Sequence, residues 1–418
     1  MQFSKFAERY TEHSGIVQLM EDLGEAMAGK GPLFLLGGGN PAHIPEIEAF
    51  FQERMQRLVQ NTAEFSKFVG NYGPPQGDLR FIDTLAEMFR SEYGWDIGPQ
   101  NIVLTAGSQS AFFMLFNSLA GEFADGSNKR ILLPMTPEYI GYSDVGLTDD
   151  YFVSYKPEIE TFADHTFKYH VDFEALDVGV DVGALCVSRP TNPTGNVLSD
   201  EEMARLSDIS RTRGIPLIVD NAYGMPFPDI IFTDASLFWD DHIILCMSLS
   251  KLGLPGARTG IIIANEEVVD VVTKMNGIFS LAMGNMGPAL AKDLVSSGEV
   301  IRLSNTVIKP YYKRKADFAV EHFKKELDGV DYYIHKAEGA IFLWLWFPGL
   351  SVSSEELYRR LKEKGVLILS GHYFFPGLRE DWRHKHECIR VSYAMPDKVV
   401  SEGIKLIAEE VKKAVSSK

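Results

Sequence analysis

The 418-residue sequence has few cysteines, a deficit of positive charge and no long apolar run. The three cysteines, Cys186, Cys246 and Cys388, are far apart, which excludes a disulfide framework and a cysteine-rich zinc site. Lys and Arg number 41 against 57 Asp and Glu, for a net charge of −16. This balance argues against a nucleic-acid-binding protein, because such binding depends on basic side chains that neutralise phosphates.

The sequence also contains no candidate membrane-spanning or secretory segment. The longest strongly apolar run, residues 340–347, is far shorter than the roughly 20 residues that span a bilayer, and it predicts a buried strand. Residues 1–10 lack the apolar core of a secretory signal. We therefore expect a cytoplasmic protein.

Short β-rich runs alternate with helical patterns through the middle of the chain. Strands are predicted at 102–105, 131–134, 184–188, 216–220, 243–247 and 260–264. Their uninterrupted apolar character is typical of a sheet buried on both faces. Between two of them, Ser199 and Glu202 form a capping box that starts a helix, and Gly214 ends it. The order strand, helix, strand predicts an α/β fold with a doubly wound, mostly parallel sheet.

The pattern changes after about residue 285. A long helical stretch at roughly 290–328 precedes a strand, a helix near 354–364, a second strand at 389–392 and a terminal amphipathic helix. We expect a large domain at 46–300, a smaller α+β domain at 301–418, and a segment at 1–45 that packs with the smaller domain. The cluster at 311–315 is expected to form a solvated helix face.

The most informative segment follows the strand at 243–247. Lys251 lies near the carboxyl end of that strand, flanked by Ser248 and Ser250, with Arg258 seven residues further on. Partial burial beside positive charge would lower the pKa of the amine and make it a nucleophile, and Arg258 with the hydroxyls would bind an anion. An ordinary solvated lysine on a surface loop is the alternative.

Other polar residues follow neighbouring strands. Asp220 ends an apolar strand, where a buried carboxylate needs a cationic or hydrogen-bonding partner, and Tyr223 is close behind it. A helix-capping aspartate is the alternative for this position. Asn192 lies in a loop constrained by two prolines, which is otherwise a plain turn. Ser108 and Gln109 open a helix, whose N-terminus favours anions.

Two further patterns give weaker signals. Residues 37–39 are three glycines without the spacing of a phosphate loop or a dinucleotide fingerprint, so they predict a tight turn that approaches a ligand. His384 and His386 have no acidic or cysteine partners at metal-ligand spacing, so no metal site is predicted.

Taken together, these motifs resemble the class I aminotransferases, within the fold type I enzymes that depend on pyridoxal 5′-phosphate. The resemblance covers nearly the whole chain and is closest at residues 37–45, 188–196, 220–228, 246–260, 338–347 and 371–377. It implies a large cofactor-binding domain, a homodimer with shared active sites, and transfer of an amino group between an amino acid and a 2-oxo acid. Valine and pyruvate are the expected pair.

The resemblance also implies a role for each site residue. Lys251 would hold the cofactor as a Schiff base and move the α-proton, and Asp220 would pair with the pyridinium nitrogen. Tyr223 and Asn192 would form hydrogen bonds to the phenolic oxygen of the cofactor, and Tyr139 would stack on its ring. The phosphate would be bound by Ser108, Gln109, Ser248 and Arg258, with Ser250 close by. Tyr72 would reach the phosphate of the other subunit. Arg390 would bind the substrate carboxylate, with Gly39 and Asn192 beside it.

Two other functions are considered for this sequence. A transaminase of other specificity, or a lyase that cleaves C–S or C–C bonds, would use the same Lys and Asp. A ligand-sensing regulator would need an appended DNA-binding module with a basic face, which an acidic chain with an enzyme-like beginning does not favour.

Overall fold

The described residues form two large sheets and one two-stranded sheet, with helices packed around them. The computed structural model describes residues 2–8, 10, 15–28 and 34–416. The strands are β1 Phe34–Leu35, β2 Ile102–Thr105, β3 Gly121–Glu122, β4 Asn128–Leu133, β5 Phe152–Ser154, β6 Glu158–Thr161, β7 Thr166–His170, β8 Val182–Ser188, β9 Leu217–Asp220, β10 Ile243–Ser248, β11 Gly260–Ile263, β12 Tyr333–His335, β13 Phe342–Trp346, β14 Val366–Leu367, β15 Leu369–Ser370 and β16 Cys388–Ser392. The helices are α1 Lys5–Glu8, α2 Gly15–Met27, α3 Pro45–Gln60, α4 Thr62–Gly70, α5 Leu79–Tyr93, α6 Ser108–Leu119, α7 Asp200–Arg213, α8 Glu266–Ser280, α9 Met286–Ser296, α10 Glu299–Leu303, α11 Lys309–Glu326, α12 Ser354–Glu363 and α13 Asp397–Ser416.

The larger sheet has the strand order β2-β11-β10-β9-β8-β4-β3, and β5 also pairs with β4. Strands β4, β8, β9 and β10 are parallel to their neighbours in this series, whereas β11 is antiparallel to both β10 and β2. Every residue of β8, β9 and β10 is buried, as continuous apolar strands predict for a sheet covered on both faces. The predicted α/β fold with a mostly parallel sheet is confirmed.

Helix α7 illustrates how local sequence sets the sheet connections. The Ser199 side chain accepts a hydrogen bond from the Glu202 N–H, and the Glu202 carboxylate accepts one from the Ser199 N–H. Gly214 ends the helix in the left-handed conformation, with φ of 66°. These residues give the predicted boundaries, because the capping box satisfies N–H groups that the first helical turn leaves unpaired.

The second sheet has the order β15-β16-β13-β12-β7-β6. Strands β6 and β7 come from residues within the range predicted for the large domain, whereas the other four lie after residue 330. Near the N-terminus, β1 pairs in parallel with β14. The proposed division into 1–45, 46–300 and 301–418 stays a prediction.

The expected solvated face at 311–315 is wrong for Tyr312 and Lys315, whereas Lys313 and Arg314 are exposed as predicted. Tyr312 and Lys315 are each 1% exposed on α11. The Lys315 amine donates hydrogen bonds to the Asp397 carboxylate, at 2.7 Å, and to the Met395 carbonyl. These partners come from a segment 80 residues away, so they leave no signal in the local charge pattern.

The carboxyl ends of the parallel strands define where the functional residues meet. Strands β2, β4, β8, β9 and β10 all end at one edge of the larger sheet. Ligands of open α/β sheets bind at this edge. The described helices include none with the length and apolar surface needed for a membrane span.

Candidate active site

Lys251 lies in the turn that follows β10 and is partly buried. Its Nζ donates a hydrogen bond of 2.6 Å to the Gly39 carbonyl oxygen, so the glycine turn near the N-terminus contacts the amine directly. Burial lowers the pKa of Lys251 to about 8, and the positive charges of Arg390 and Arg258 act in the same direction. A lower pKa gives more neutral amine near neutral pH, and this is the form that attacks a carbonyl.

Asp220 is the last residue of β9 and is buried. One carboxylate oxygen accepts from the Ala222 N–H at 3.1 Å, and the other accepts from the Tyr142 hydroxyl at 2.9 Å. Burial raises the pKa of Asp220 to about 6, while these two hydrogen bonds and Lys251 oppose the rise. A cationic nitrogen placed against the carboxylate would favour its ionised form.

The cavity that Lys251 lines also contains groups suited to an anion. The N-terminus of α6 presents the backbone N–H groups of Ser108 and Gln109, and Arg258 approaches the same turn. Gly107 has φ of 88°, and a Cβ built on it would lie 1.9 Å from Nη2 of Arg258. Glycine is therefore required for the guanidinium to lie against this turn.

The predicted cofactor residues converge on one cavity of about 140 Å³. Its lining includes Ser108, Gln109, Tyr139, Asn192, Asp220, Tyr223, Ser248, Ser250, Lys251 and Arg258. The Tyr223 ring centroid is 5.4 Å from the Lys251 Nζ. Tyr72, the remaining predicted cofactor residue, does not line this cavity and is 86% exposed.

Arg390 lies on β16 of the second sheet and is 1% exposed. Its Nη1 donates to the Asn192 side-chain oxygen at 2.7 Å, and its Nη2 donates to the Gly37 carbonyl at 2.6 Å. The guanidinium lies 4.0 Å from the ring centroid of Phe342. Burial lowers the pKa of Arg390 to about 10, so it stays charged at neutral pH. Among the described acidic side chains none forms a salt bridge with it, which leaves a buried cation suited to a carboxylate ligand.

A second cavity of about 500 Å³ opens above Lys251 and Arg390. Gly39 and Asn192 also line this cavity, so all three predicted substrate-binding residues, Gly39, Asn192 and Arg390, lie around it. Its apolar lining comes from Ile16, Met20, Leu35, Ile140 and Met395. These apolar residues were not predicted from the sequence, because four separate segments contribute them.

Three buried polar residues behind Asp220 also escaped prediction. Tyr142 and Ser188 are 0% and 2% exposed, and Glu138 is 2% exposed. Tyr142 ends a short helical turn that begins after Tyr139. Glu138 gave no signal, because a glutamate in a loop is ordinarily solvated.

The chain belongs to the aminotransferase class I and II family, whose model matches residues 49–407. Members of this family use pyridoxal 5′-phosphate. The chain is 50% identical over 414 residues to a valine–pyruvate aminotransferase of Escherichia coli (strain K12), covering 99% of each sequence.

Two solved structures extend the comparison. A putative amino-acid aminotransferase from Psychrobacter arcticum 273-4 superposes with a TM-score of 0.97 at 48% identity, over 100% of each chain. A valine–pyruvate aminotransferase from Salmonella typhimurium LT2 superposes with a TM-score of 0.89 at 49% identity, over 97% of this chain and 100% of the other. The resemblance predicted from the motifs is confirmed.

Proposed function

We propose that the protein is a pyridoxal-phosphate-dependent aminotransferase that transfers the amino group of valine to pyruvate, giving 3-methyl-2-oxobutanoate and alanine. The observation that supports it best is that the Lys251 amine shares one cavity with the Asp220 carboxylate and another with the Arg390 guanidinium, in a chain half identical to an enzyme of that name. A cofactor ring and a substrate carboxylate would then both lie close to one amine.

The residues around Lys251 fit this cofactor group by group. Asp220 would hold the proton on the ring nitrogen, and Tyr139 would cover the ring face. Because the Asn192 side-chain oxygen already accepts from Arg390, its amide nitrogen is the group left to donate, beside Tyr223, to the phenolic oxygen. The phosphate would lie against the α6 N-terminus and Arg258, where Gly107 leaves room for the guanidinium. Ser248 and Ser250 would add hydroxyl groups at this end.

Lys251 would move the α-proton of the substrate. When bound, the cofactor supplies an electron-withdrawing ring that stabilises negative charge at the carbon losing that proton. An amine with a pKa of about 8 is well matched to accept and return a proton near neutral pH. The Gly39 carbonyl oxygen, 2.6 Å from Nζ, orients the amine beside the place where the substrate carboxylate would lie.

Arg390 would bind the carboxylate shared by all the substrates. A guanidinium has five N–H groups, and the hydrogen bonds to Asn192 and Gly37 use two of them. Its Nε has no partner among the described residues. The N–H groups that remain can hold a carboxylate through two parallel hydrogen bonds.

The apolar cavity above the amine favours an aliphatic side chain. Apart from Lys251 and Arg390, its lining residues are uncharged, so a second substrate carboxylate would have no cation to pair with. An isopropyl group would instead gain free energy by leaving water against Met20, Leu35 and Met395. This favours valine over dicarboxylic amino acids.

A homodimer is part of the proposal. Tyr72 is 86% exposed, and Phe65 and Val69 on the preceding helix are 39% and 59% exposed. Ile278 and Leu281, at the end of α8, are 82% and 66% exposed. Apolar surface of this kind is suited to burial against a second copy, with Tyr72 reaching the phosphate of the neighbouring site.

A cytoplasmic location is also proposed. Cys186, Cys246 and Cys388 are all buried and unpaired. Unpaired thiols in a folded core are compatible with a reducing compartment.

The test of the proposed reaction is the formation of both products by the purified enzyme with added cofactor. Valine with pyruvate should give equal amounts of 3-methyl-2-oxobutanoate and alanine, and Lys251→Ala should abolish the reaction. Lys274→Ala, which removes an exposed lysine on α8, is the matched control and should have full activity. Absent turnover with valine, or normal turnover of Lys251→Ala, would contradict the proposal.

A further inference from the structure

A continuous line of buried polar groups leads away from Asp220 into the core. The Tyr142 hydroxyl is 2.9 Å from the Asp220 carboxylate and 3.3 Å from the Ser188 hydroxyl. The Ser188 hydroxyl is in hydrogen-bond contact with Oε2 of Glu138. The other oxygen of Glu138 accepts from the Ser188 N–H at 2.8 Å. All four residues are at least 91% buried.

Counting protons along this line shows which directions make all three side-chain contacts hydrogen bonds. The Tyr142 hydroxyl has one proton, and the Asp220 carboxylate accepts it. The contact between Tyr142 and Ser188 is therefore a hydrogen bond only when Ser188 donates. With its proton used in this way, the Ser188 oxygen can only accept from Glu138, which requires a protonated carboxyl there. With an ionised Glu138, the Ser188 hydroxyl donates to Oε2 instead, and the 3.3 Å contact with Tyr142 has no proton.

An ionised Glu138 would break this arrangement. It would take the Ser188 proton for itself and leave the Tyr142 oxygen without a donor. It would also place a second negative charge near Asp220 in a region of low polarity, where like charges repel strongly.

The groups that face Glu138 are the Ser188 N–H and hydroxyl, the Tyr139 N–H, the Cys186 thiol, the Tyr142 hydroxyl and the Asp220 carboxylate, and none of them is a cation. Burial raises the pKa of Glu138 to about 8, and the charge of Asp220 adds to the rise. The hydrogen bonds that Ser188 and the Tyr139 N–H donate to the ionised form oppose this rise and do not cancel it.

We propose that Glu138 is a positioning residue that acts as a neutral carboxylic acid. It is the first donor in a relay of hydrogen bonds through Ser188 and Tyr142, and this relay stabilises the ionised Asp220 carboxylate that would pair with the cofactor's ring nitrogen. The inference rests on the proposed function, because the ring nitrogen belongs to the proposed cofactor. In this relay Glu138 acts as a hydrogen-bond donor and carries no negative charge.

Two substitutions at Glu138 separate these roles in the purified holoenzyme. Glu138→Gln retains one acceptor for the Ser188 N–H and one donor for the Ser188 hydroxyl, so it should keep cofactor affinity within about twofold of the wild type. Glu138→Met has similar length and no donor, and its dissociation constant for the cofactor should rise at least about fivefold. Tyr142→Phe, which removes the donor next to Asp220, should match Glu138→Met.

The control is Glu387→Gln. Glu387 is also buried, but it accepts from Gly349 at 2.8 Å and from Trp346 at 3.0 Å on the second sheet. Its substitution should leave cofactor affinity unchanged. Thermal unfolding of each variant checks that the fold is intact.

Protonation of Glu138 can be measured without turnover. The infrared difference spectrum between the wild type and Glu138→Gln at neutral pH should contain the carbonyl band of a protonated carboxylic acid. Absence of that band would overturn the inference, as would Glu138→Gln losing as much cofactor affinity as Glu138→Met, or Glu138→Met losing none. If instead the wild type fails to bind pyridoxal phosphate, the proposed function itself fails, and the infrared result still decides the state of Glu138.

Discussion

Arg390 donates a hydrogen bond of 2.7 Å to Asn192, and this contact joins the second sheet to the loop that follows β8 of the larger sheet. Asn192 lines both the cavity that contains Asp220 and the apolar cavity, whereas Arg390 lines the apolar cavity alone of these two. The residue proposed to bind the substrate carboxylate is thus fixed relative to the residues proposed to bind the cofactor. Because precise placement of reacting groups contributes much of an enzyme's rate enhancement, we expect this contact to be important for activity.

Arg390→Lys should impair both half-reactions alike. Lysine is a single point charge and cannot hold a carboxylate while also donating to Asn192 and Gly37. We expect kcat/KM for valine and for pyruvate to fall by similar factors, about tenfold or more. The control is the slow reaction with a simple amine that lacks a carboxylate, which should be unchanged. Equal losses with the simple amine would show that Arg390 is a structural residue.

Asp220→Ala should fold and lose most of its activity. The ring nitrogen would no longer be held in its protonated form, and removal of one such electrostatic partner costs a factor of about 100 or more in kcat. Activity is measured with valine and pyruvate, and circular dichroism checks the fold. Activity within threefold of the wild type would mean that Asp220 only caps the turn through the Ala222 N–H.

Capture of pyridoxal phosphate by the cofactor-free protein should depend on pH through Lys251. The pKa of this amine is lowered from 10.5 to about 8, and only the neutral amine attacks the aldehyde. The neutral fraction increases as pH rises, so the capture rate should increase through pH 8 and level off above it. Stopped-flow absorbance measures the rate. A rate that continues to increase towards pH 10.5, as for an ordinary lysine, would contradict the lowered pKa.

Met395→Ala should reduce the preference for valine. The shorter side chain removes apolar surface from the proposed side-chain cavity, and less buried apolar surface means weaker binding of an apolar substrate group. We expect kcat/KM to fall about fivefold for valine and less for alanine, whose methyl group reaches less of the cavity. Met286→Ala, at an exposed methionine outside the cavity, is the matched control. An equal loss for both substrates would place the side-chain site elsewhere.

The sequence predicted those parts of the fold that depend on local chemistry. Ser199, Glu202 and Gly214 mark the ends of α7 because capping and the left-handed turn are properties of a few adjacent residues. Asp220 and Lys251 were identified because buried parallel strands bring their carboxyl ends to one edge.

Features formed by distant segments were not predictable in this way. Lys315 was expected on a solvated face, yet it is buried against Asp397, and nothing near it in the sequence indicates that partner. Glu138 was missed because its burial depends on β8 packing against the loop after β4. The apolar cavity over Lys251 draws on α2, β1 and the segment after β16, so its composition emerges only from the tertiary structure.

The most direct test is a single-turnover spectrum of the purified protein loaded with pyridoxal phosphate. Valine alone should convert the absorbance of the bound cofactor to that of its pyridoxamine form and release one equivalent of 3-methyl-2-oxobutanoate per site. Pyruvate added next should restore the original spectrum and yield alanine. A spectrum that valine leaves unchanged, while aspartate or another dicarboxylic amino acid converts it, would contradict the proposed reaction.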